Sequence, residues 1–395
     1  MKIKSLTART ILDSRAQWTV EATIELKNGV RATASVPQGK STGAAEAHAL
    51  PAGQAVKNIA KIIAPKVRRK TFRGQADFDA FLIALDGTPA KSKLGANAIL
   101  AVSIAFARAC AAAKQVPLWQ YIREIYGLPV ASNSGSTRPR LFMNLINGGL
   151  HGGSNLDVQE YVIISKTRTF KEAAEMGVEI YHALADLITR TKGNAATNLG
   201  DEGGFSPDFK DNGEPIRVLA AVAKKLGYEK KIDLGMDAAA TDIKKLNSDQ
   251  LRALYARIIK EHHVLYLEDP FGEEQFGKFA ELTARYGKTV WIAGDDLTTT
   301  NVHRMERAHA EGSVNAVIIK PNQIGSVSEA LDAVRAARKY GWKVIASHRS
   351  GETNDDFIAD FAYGVGADGL KLGAPARGER TAKYNRLLEI EKESS

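Results

Sequence analysis

The feature that most constrains this chain is a rhythm in its carboxyl-terminal two thirds. Short apolar runs recur there, and each ends abruptly in a charged or polar side chain. IDLGM leads to Asp237, VLYL to Glu268, VWIAG to Asp295, AVIIK to Lys320, VIAS to His348 and DGLK to Lys371. The steps between those endpoints are 31, 27, 25, 28 and 23 residues, a spacing suited to successive strand–helix units. Apolar runs of four or five residues bounded by turns suit strands buried on both faces. Residues 131–395 also match the size of a closed β/α barrel, in which strand carboxyl ends converge on one face. Six such endpoints in succession then form a ring.

The amino-terminal part is organised differently. In TVEATIELKNGVRATASV (19–36), apolar residues alternate with polar ones on both sides of Asn28-Gly29, which predicts a β-hairpin. Helical patterns follow over 44–65, 74–85, 94–114 and 117–126. A turn-rich segment at 131–139 then predicts a boundary between a small α+β domain (1–130) and the barrel (131–395). A length of 395 residues fits two domains, and 44% apolar with 25% charged residues excludes a disordered chain.

The net charge of +9 favours anionic partners without selecting one. Cys110 is the single cysteine, so no intramolecular disulfide forms, which fits a reducing compartment. No apolar core of secretory-signal length opens the chain, and Ala96–Ala113, mostly alanine and interrupted by Asn97, Ser103 and Arg108, reads as a buried helix rather than a membrane span. These features predict a cytoplasmic protein with no membrane insertion. A basic run, a zinc motif and interleaved aromatics are not expected from this reading, so no specific nucleic-acid partner is predicted.

Asp237, Glu268 and Asp295 place three carboxylates at consecutive strand ends. Singly, each could cap a following helix. Together they repel one another unless a hard cation such as Mg²⁺ neutralises them. Lys320 and Lys371 end later strands on the same rim, where nearby positive charge would favour a neutral amine able to act as a base. Ser347-His348-Arg349-Ser350 has the makings of an oxyanion or phosphate clamp, or of an ordinary helix cap at Ser350. Two glycine-rich segments hold further candidates: His151 ahead of Gln159 and Glu160, and Asp201-Glu202 within 200–204. Residues 38–43 have the composition of a mobile lid. Neither a Walker motif nor GxGxxG is present.

Eleven blocks spread over the chain then become diagnostic. They include DSR (13–15), KSTGAAEA (40–47), MNLINGGLH (143–151), GDEGGFSP (200–207), LEDP (267–270), GDDLTTTN (294–301), IKPNQIGS (319–326), SHRSGET (347–353) and GAPARGER (373–380). The chain resembles the enolase (phosphopyruvate hydratase) family from its first strand to its last. The resemblance implies an α/β subunit: an N-terminal α+β domain followed by an irregular (β/α)8 barrel that begins ββαα. It implies reversible dehydration of 2-phosphoglycerate to phosphoenolpyruvate, with two Mg²⁺ per active site, the second substrate-dependent.

Position by position, the resemblance makes Asp237, Glu268 and Asp295 ligands of the first Mg²⁺ and Ser41 a lid residue holding the second. Lys320 becomes the base at C2 and Glu202 the acid that helps expel the C3 hydroxyl. His151, Gln159, Glu160, His348 and Lys371 become substrate-site groups, and Arg349 with Ser350 the phosphate clamp. It further implies a homodimer, or a higher assembly, bridged by Arg9–Glu379 and Glu21–Arg377, and a secondary cell-surface or secreted pool.

Proton abstraction beside a carboxylate loads a second negative charge onto that group, which explains the cations. A neutral Lys320 and a Glu202 that keeps its proton are expected accordingly. The sequence departs from the family at Ala16-Gln17-Trp18, where Gly-Asn-Pro is usual, at Gln38 and Lys40 in the lid, and at Pro321. A charged loop usual between Leu50 and Ala55 is missing. Two readings compete: an enolase-like enzyme acting on another phosphorylated or phosphonate acid, and a non-catalytic nucleic-acid or surface-binding protein. The intact Lys320/Glu202 pair argues against the first, and the three metal carboxylates against the second.

Overall fold

The structure, a computed structural model, describes residues 1–40, 43–129 and 138–394. Three antiparallel strands open the chain in the order β1-β2-β3: β1 (Ile3–Leu12), β2 (Trp18–Leu26) and β3 (Arg31–Ser35). The expected hairpin is β2–β3. Its turn closes with Gly29 at φ +87°, while the Asn28 side chain accepts from Val30 N. Strand β1 adds a third member, paired from Ile3↔Leu26 to Leu12↔Trp18.

Helices α1 (Ala52–Asn58), α2 (Ala64–Val67), α3 (Gln75–Asp86), α4 (Ala96–Ala113) and α5 (Leu118–Tyr126) follow, with a π-helical segment Ile59–Ile63 joining the first two. The helix expected from residue 44 begins only at Ala52, because Pro51 holds the N-cap in an extended conformation and disfavours helical backbone before it. Among the described residues, α4 alone is long and apolar enough to cross a membrane, and 78% of it is buried inside the domain against β2, β3, α3 and α5. The expected domain boundary at 130/131 lies outside the described residues.

Eight strands then close a barrel in the order β10-β11-β4-β5-β6-β7-β8-β9. They are β4 (Arg140–Asn147), β5 (Glu160–Ser165), β6 (Ile232–Asp237), β7 (Val264–Glu268), β8 (Trp291–Gly294), β9 (Ala316–Ile319), β10 (Lys343–Ser347) and β11 (Gly369–Lys371). Strand β5 pairs antiparallel with both β4 and β6, and the other pairings are parallel. Two helices, α6 (Phe170–Lys192) and α7 (Glu214–Lys225), separate β5 from β6, so the barrel opens ββαα.

Regular units follow through α8 (Ser248–His262), α9 (Phe276–Tyr286), α10 (Val302–Ala310), the short α11 (Pro321–Ile324), α12 (Val327–Lys339), α13 (Phe357–Gly364) and α14 (Gly378–Glu393). Phe142, Val162, Ile164, Tyr266, Ile318 and Ile345 fill part of the core among the barrel strands. The two domains are tied by polar contacts: Arg108 on α4 donates to both carboxylate oxygens of Asp355 at 2.8 and 2.9 Å, and buried Asp79 accepts from Ser328.

Candidate active site

All six predicted endpoints terminate strands at one mouth. Asp237, Glu268 and Lys371 are the last residues of β6, β7 and β11, while Asp295, Lys320 and His348 immediately follow β8, β9 and β10. Because β5 runs antiparallel, its first residue, Glu160, arrives at the same mouth in register with Asp237. The glycines of 200–204 bring Glu202 in from a loop. A Cβ on Gly204 would meet Asn147 Oδ1 at 2.6 Å, and one on Gly200 would meet the His151 carbonyl at 2.5 Å. Asp237, Glu160, Glu202, Asp295, Lys320, His348 and Lys371 line an open cavity of about 420 Å³, the space open to solvent included, which Gly39 of the amino-terminal domain also reaches, while Glu268 lies fully buried behind it.

The ring divides into three polar clusters. In the first, Lys371 Nζ lies 2.6 Å from Glu268 Oε2 and 3.1 Å from both Asp237 Oδ2 and Glu160 Oε2, and Tyr266 donates to Glu268. In the second, Lys320 pairs with Asp295, which also accepts from Gln323 Nε2 at 2.9 Å. In the third, Glu202 accepts from Asn144 Nδ2 at 3.0 Å and stands 3.4 Å from His151 Nδ1 and 3.3 Å from His348 Nε2. His151 also stands 3.5 Å from Glu160.

The phosphate-clamp candidates sit at the domain seam. Arg349 donates to both oxygens of Glu46, at 3.0 and 3.1 Å, and to Asn322. Ser350 Oγ accepts from Lys40 N at 2.9 Å. Gln159 Nε2 reaches Asp237 at 3.4 Å. Ser41 lies outside the described residues.

The charges differ from two expectations. Lys320 was expected to be depressed. Burial does lower it, but the adjoining Asp295 carboxylate outweighs burial and holds its pKa above the ordinary lysine value. Glu202 was expected to retain its proton. Burial raises it, but the imidazoles of His348 and His151, with Arg380 behind them, hold it well below the carboxylate range. Burial and neighbouring carboxylates push Glu268 well above that range and raise Glu160.

The donor set suits a cation. Glu268 Oε1 and Gln159 Oε1 are buried acceptors without a hydrogen-bond donor. Among the described residues, two groups bring three ligand atoms within 4.8 Å: His151 with Glu160 and Glu202, and Asp269 with Asp295 and Asp296. The expected trio is shared between two ammonium groups, Asp237 and Glu268 at Lys371 and Asp295 at Lys320. Asp269, Asp296, Asn144, Tyr266, Gln323, Glu46 and Arg380 were not singled out from the sequence. Several lay inside recognised blocks, LEDP, GDDLTTTN and GAPARGER among them, which was the available signal.

Comparison with known proteins decides the family. Residues 3–122 match the enolase N-terminal domain, and residues 136–395 match the enolase C-terminal TIM barrel domain. The chain belongs to the enolase family. It is 43% identical to the enolase of Solanum lycopersicum over 427 residues, covering 99% of this chain and 95% of that protein. It is 43% identical to that of Methanopyrus kandleri (99% and 96% covered) and 42% identical to that of Methanocaldococcus jannaschii (99% and 95% covered). Enolase membership over the whole length makes this chain a lyase with the glycolytic phosphopyruvate hydratase function, and its acidic groups suit the metal ion that an enolase requires.

Proposed function

We propose that the chain carries out the reversible dehydration of 2-phospho-D-glycerate to phosphoenolpyruvate at the barrel mouth, with Mg²⁺ as its metal and two ions per site. The observation that carries this reading is the sharing of Lys371 by Asp237, Glu268 and Glu160, beside a second, partly buried lysine facing Asp295. Asp237, Glu268 and Asp295 would hold the first ion and Ser41 would contribute to the second. The ions supply positive charge to the substrate carboxylate as it gains its second negative charge.

Lys320 is the base at C2. Once the charge of Asp295 is engaged by a cation, burial and the neighbouring Arg349 and Lys371 charges lower the Lys320 pKa toward a neutral amine. Glu202 is the acid at the C3 hydroxyl. An anionic substrate entering the cavity opposes its ionised form and raises its affinity for a proton. His151, Gln159 and Glu160 serve that end of the substrate, Lys371 and His348 contact it, and Arg349 with Ser350 grips the phosphate.

The working unit is a cytoplasmic homodimer. Within one chain Arg9 pairs with Glu21 at 2.6 Å and Arg377 with Glu379 at 2.8 Å, so the cross-chain bridges Arg9–Glu379 and Glu21–Arg377 require an exchange of partners. Leu12 and Trp18, 56% and 62% exposed on the same strand pair, offer apolar area for that contact.

The deciding experiment measures phosphoenolpyruvate formation from 2-phosphoglycerate with Mg²⁺, then with a chelator, then with Mg²⁺ restored. Activity that appears, vanishes and returns supports the reading. Turnover that ignores the chelator, or no turnover with Mg²⁺ present, overturns it.

A further inference from the structure

From Ala47 to Ala76 the chain contains no Asp or Glu, yet it carries Lys57, Lys61, Lys66, Arg68, Arg69 and Lys70, with Arg73 beyond them. Residues 66–70 read KVRRK, which corrects the expectation of a chain without a basic run. In the structure all six are exposed, Lys57, Lys61 and Lys66 on the helical stretch and Arg68, Arg69 and Lys70 directly after its end. Ala55, Ile59, Ile63 and Val67 turn inward along α1, the π-helical segment and α2, which leaves the cations to solvent. An antiparallel bridge sets Lys2 against Thr71, and Lys27 N donates to the Lys2 carbonyl at 2.9 Å, which adds two more exposed ammonium groups at the same corner.

Among the described residues none of these eight cations has an ion-pair partner, and Glu25 and Asp77, close by in the chain, are already engaged. Glu25 pairs with Lys4 at 2.6 Å, and Asp77 with Arg73 at 3.4 Å. Residues 47–76, with seven Lys and Arg and no Asp or Glu, carry +7 of the chain's net charge of +9. None of these residues lines the cavity at the barrel mouth.

We infer that this face binds the phosphate backbone of duplex nucleic acid without regard to sequence. The helical stretch Ala52–Val67 is roughly 24 Å long at about 1.5 Å per residue, and a duplex presents one charge per about 1.7 Å of axis, so the strip faces on the order of a dozen phosphates. Arg68 and Arg69 bring planar donor forks suited to phosphate oxygens. The exposed large apolar side chains, Leu12, Trp18, Leu150, Val178 and Leu199, all lie outside the stretch. The face therefore offers no aromatic platform for unstacked bases and no apolar wedge for a bilayer. What remains is backbone electrostatics.

The test is fluorescence anisotropy of a labelled mixed-sequence DNA duplex of about 30 base pairs, titrated from about 50 to 200 mM salt, beside flotation with phosphatidylserine-containing vesicles. Binding in the micromolar range that weakens steeply with salt is expected. Lys61→Glu/Arg68→Glu/Arg69→Glu should weaken it at least about tenfold and flatten the log–log salt slope by about 3. The Gln triple variant should fall between that and the parent, and is the measure if the Glu variant does not fold. Both should keep full phosphoenolpyruvate-forming activity. Lys224→Glu/Lys225→Glu, on α7, is a two-charge control and should change duplex binding less than twofold. Equal losses in test and control variants, no loss in either triple variant, or vesicle binding at a salt concentration that releases the duplex would each overturn the assignment.

Discussion

Arg380 Nη1 donates to Nδ1 of His348 at 2.5 Å, and a guanidinium has no acceptor to offer in return. His348 must therefore carry its proton on Nε2, 3.3 Å from Glu202 Oε2. Arg380 is itself completely buried and also donates to the carbonyls of Asp201, Arg349 and Ser350. A residue outside the ring thus sets the tautomer of a residue within it.

The acid stability of the fold should report that arrangement. Burial pushes His348 down to about 3. Between that value and an unfolded histidine near 6.5, the unfolded chain binds more protons than the folded one. Stability should therefore be lost as pH falls through that window, with His348 contributing up to about 1.4 kcal/mol per pH unit. Urea unfolding followed in pH steps should show a shallower decline for His348→Gln than for the parent. Parallel curves would remove His348 from the account.

The division of labour between base and acid is separable by isotope exchange. Lys320→Ala should abolish exchange of the C2 proton of 2-phosphoglycerate with solvent, by about a thousandfold or more. Glu202→Gln should spare exchange while blocking formation of phosphoenolpyruvate. Equal loss of exchange in both variants would show the roles to be wrongly divided.

Lys40 ties the amino-terminal loop to the barrel mouth, donating to the Leu150 carbonyl at 2.6 Å and to Asp201 at 3.0 Å. The pair is partly exposed, which limits it to about 0.2–1 kcal/mol. Lys40→Ala should raise KM by about two- to fivefold with kcat little changed, and added salt should narrow the gap between variant and parent. A fall in kcat at constant KM would instead place Lys40 in the chemical step.

Ala16 sits at φ +57° where the family usually has glycine. Left-handed backbone costs a residue with a Cβ about 1 kcal/mol. Ala16→Gly should therefore stabilise the protein, by somewhat less than that once the added freedom of the unfolded chain is counted. Chemical denaturation decides it, and a lower midpoint for the glycine variant would show that the turn carries no strain.

Cys110 is buried in α4 and its thiol is pushed up to about 11 by burial. At pH 8 the thiolate is on the order of one part in a thousand. The native protein should resist alkylation by iodoacetamide, and labelling should track unfolding. Prompt native-state labelling would show that α4 opens locally.

Much of the fold was legible because local rules and tertiary packing agree. Alternation around Asn28-Gly29 marked the hairpin, and six apolar runs marked six barrel strands. The Pro51 break within the 44–65 pattern misled, since helical periodicity continued across a residue whose neighbour cannot be helical. At the site, residue types at strand ends were readable one by one.

The sequence by itself determined which side chains reach the barrel mouth, since strand period and strand length project each endpoint to one rim. Only the tertiary structure decided who faces whom. Lys371 rather than Lys320 joins Asp237 and Glu268, β5 reverses to deliver Glu160, and Arg380 arrives from α14 to set His348. Those pairings depend on distances between elements far apart in the chain. Charge balance in a dry cavity depends on a few ångströms of that geometry, which no periodicity encodes.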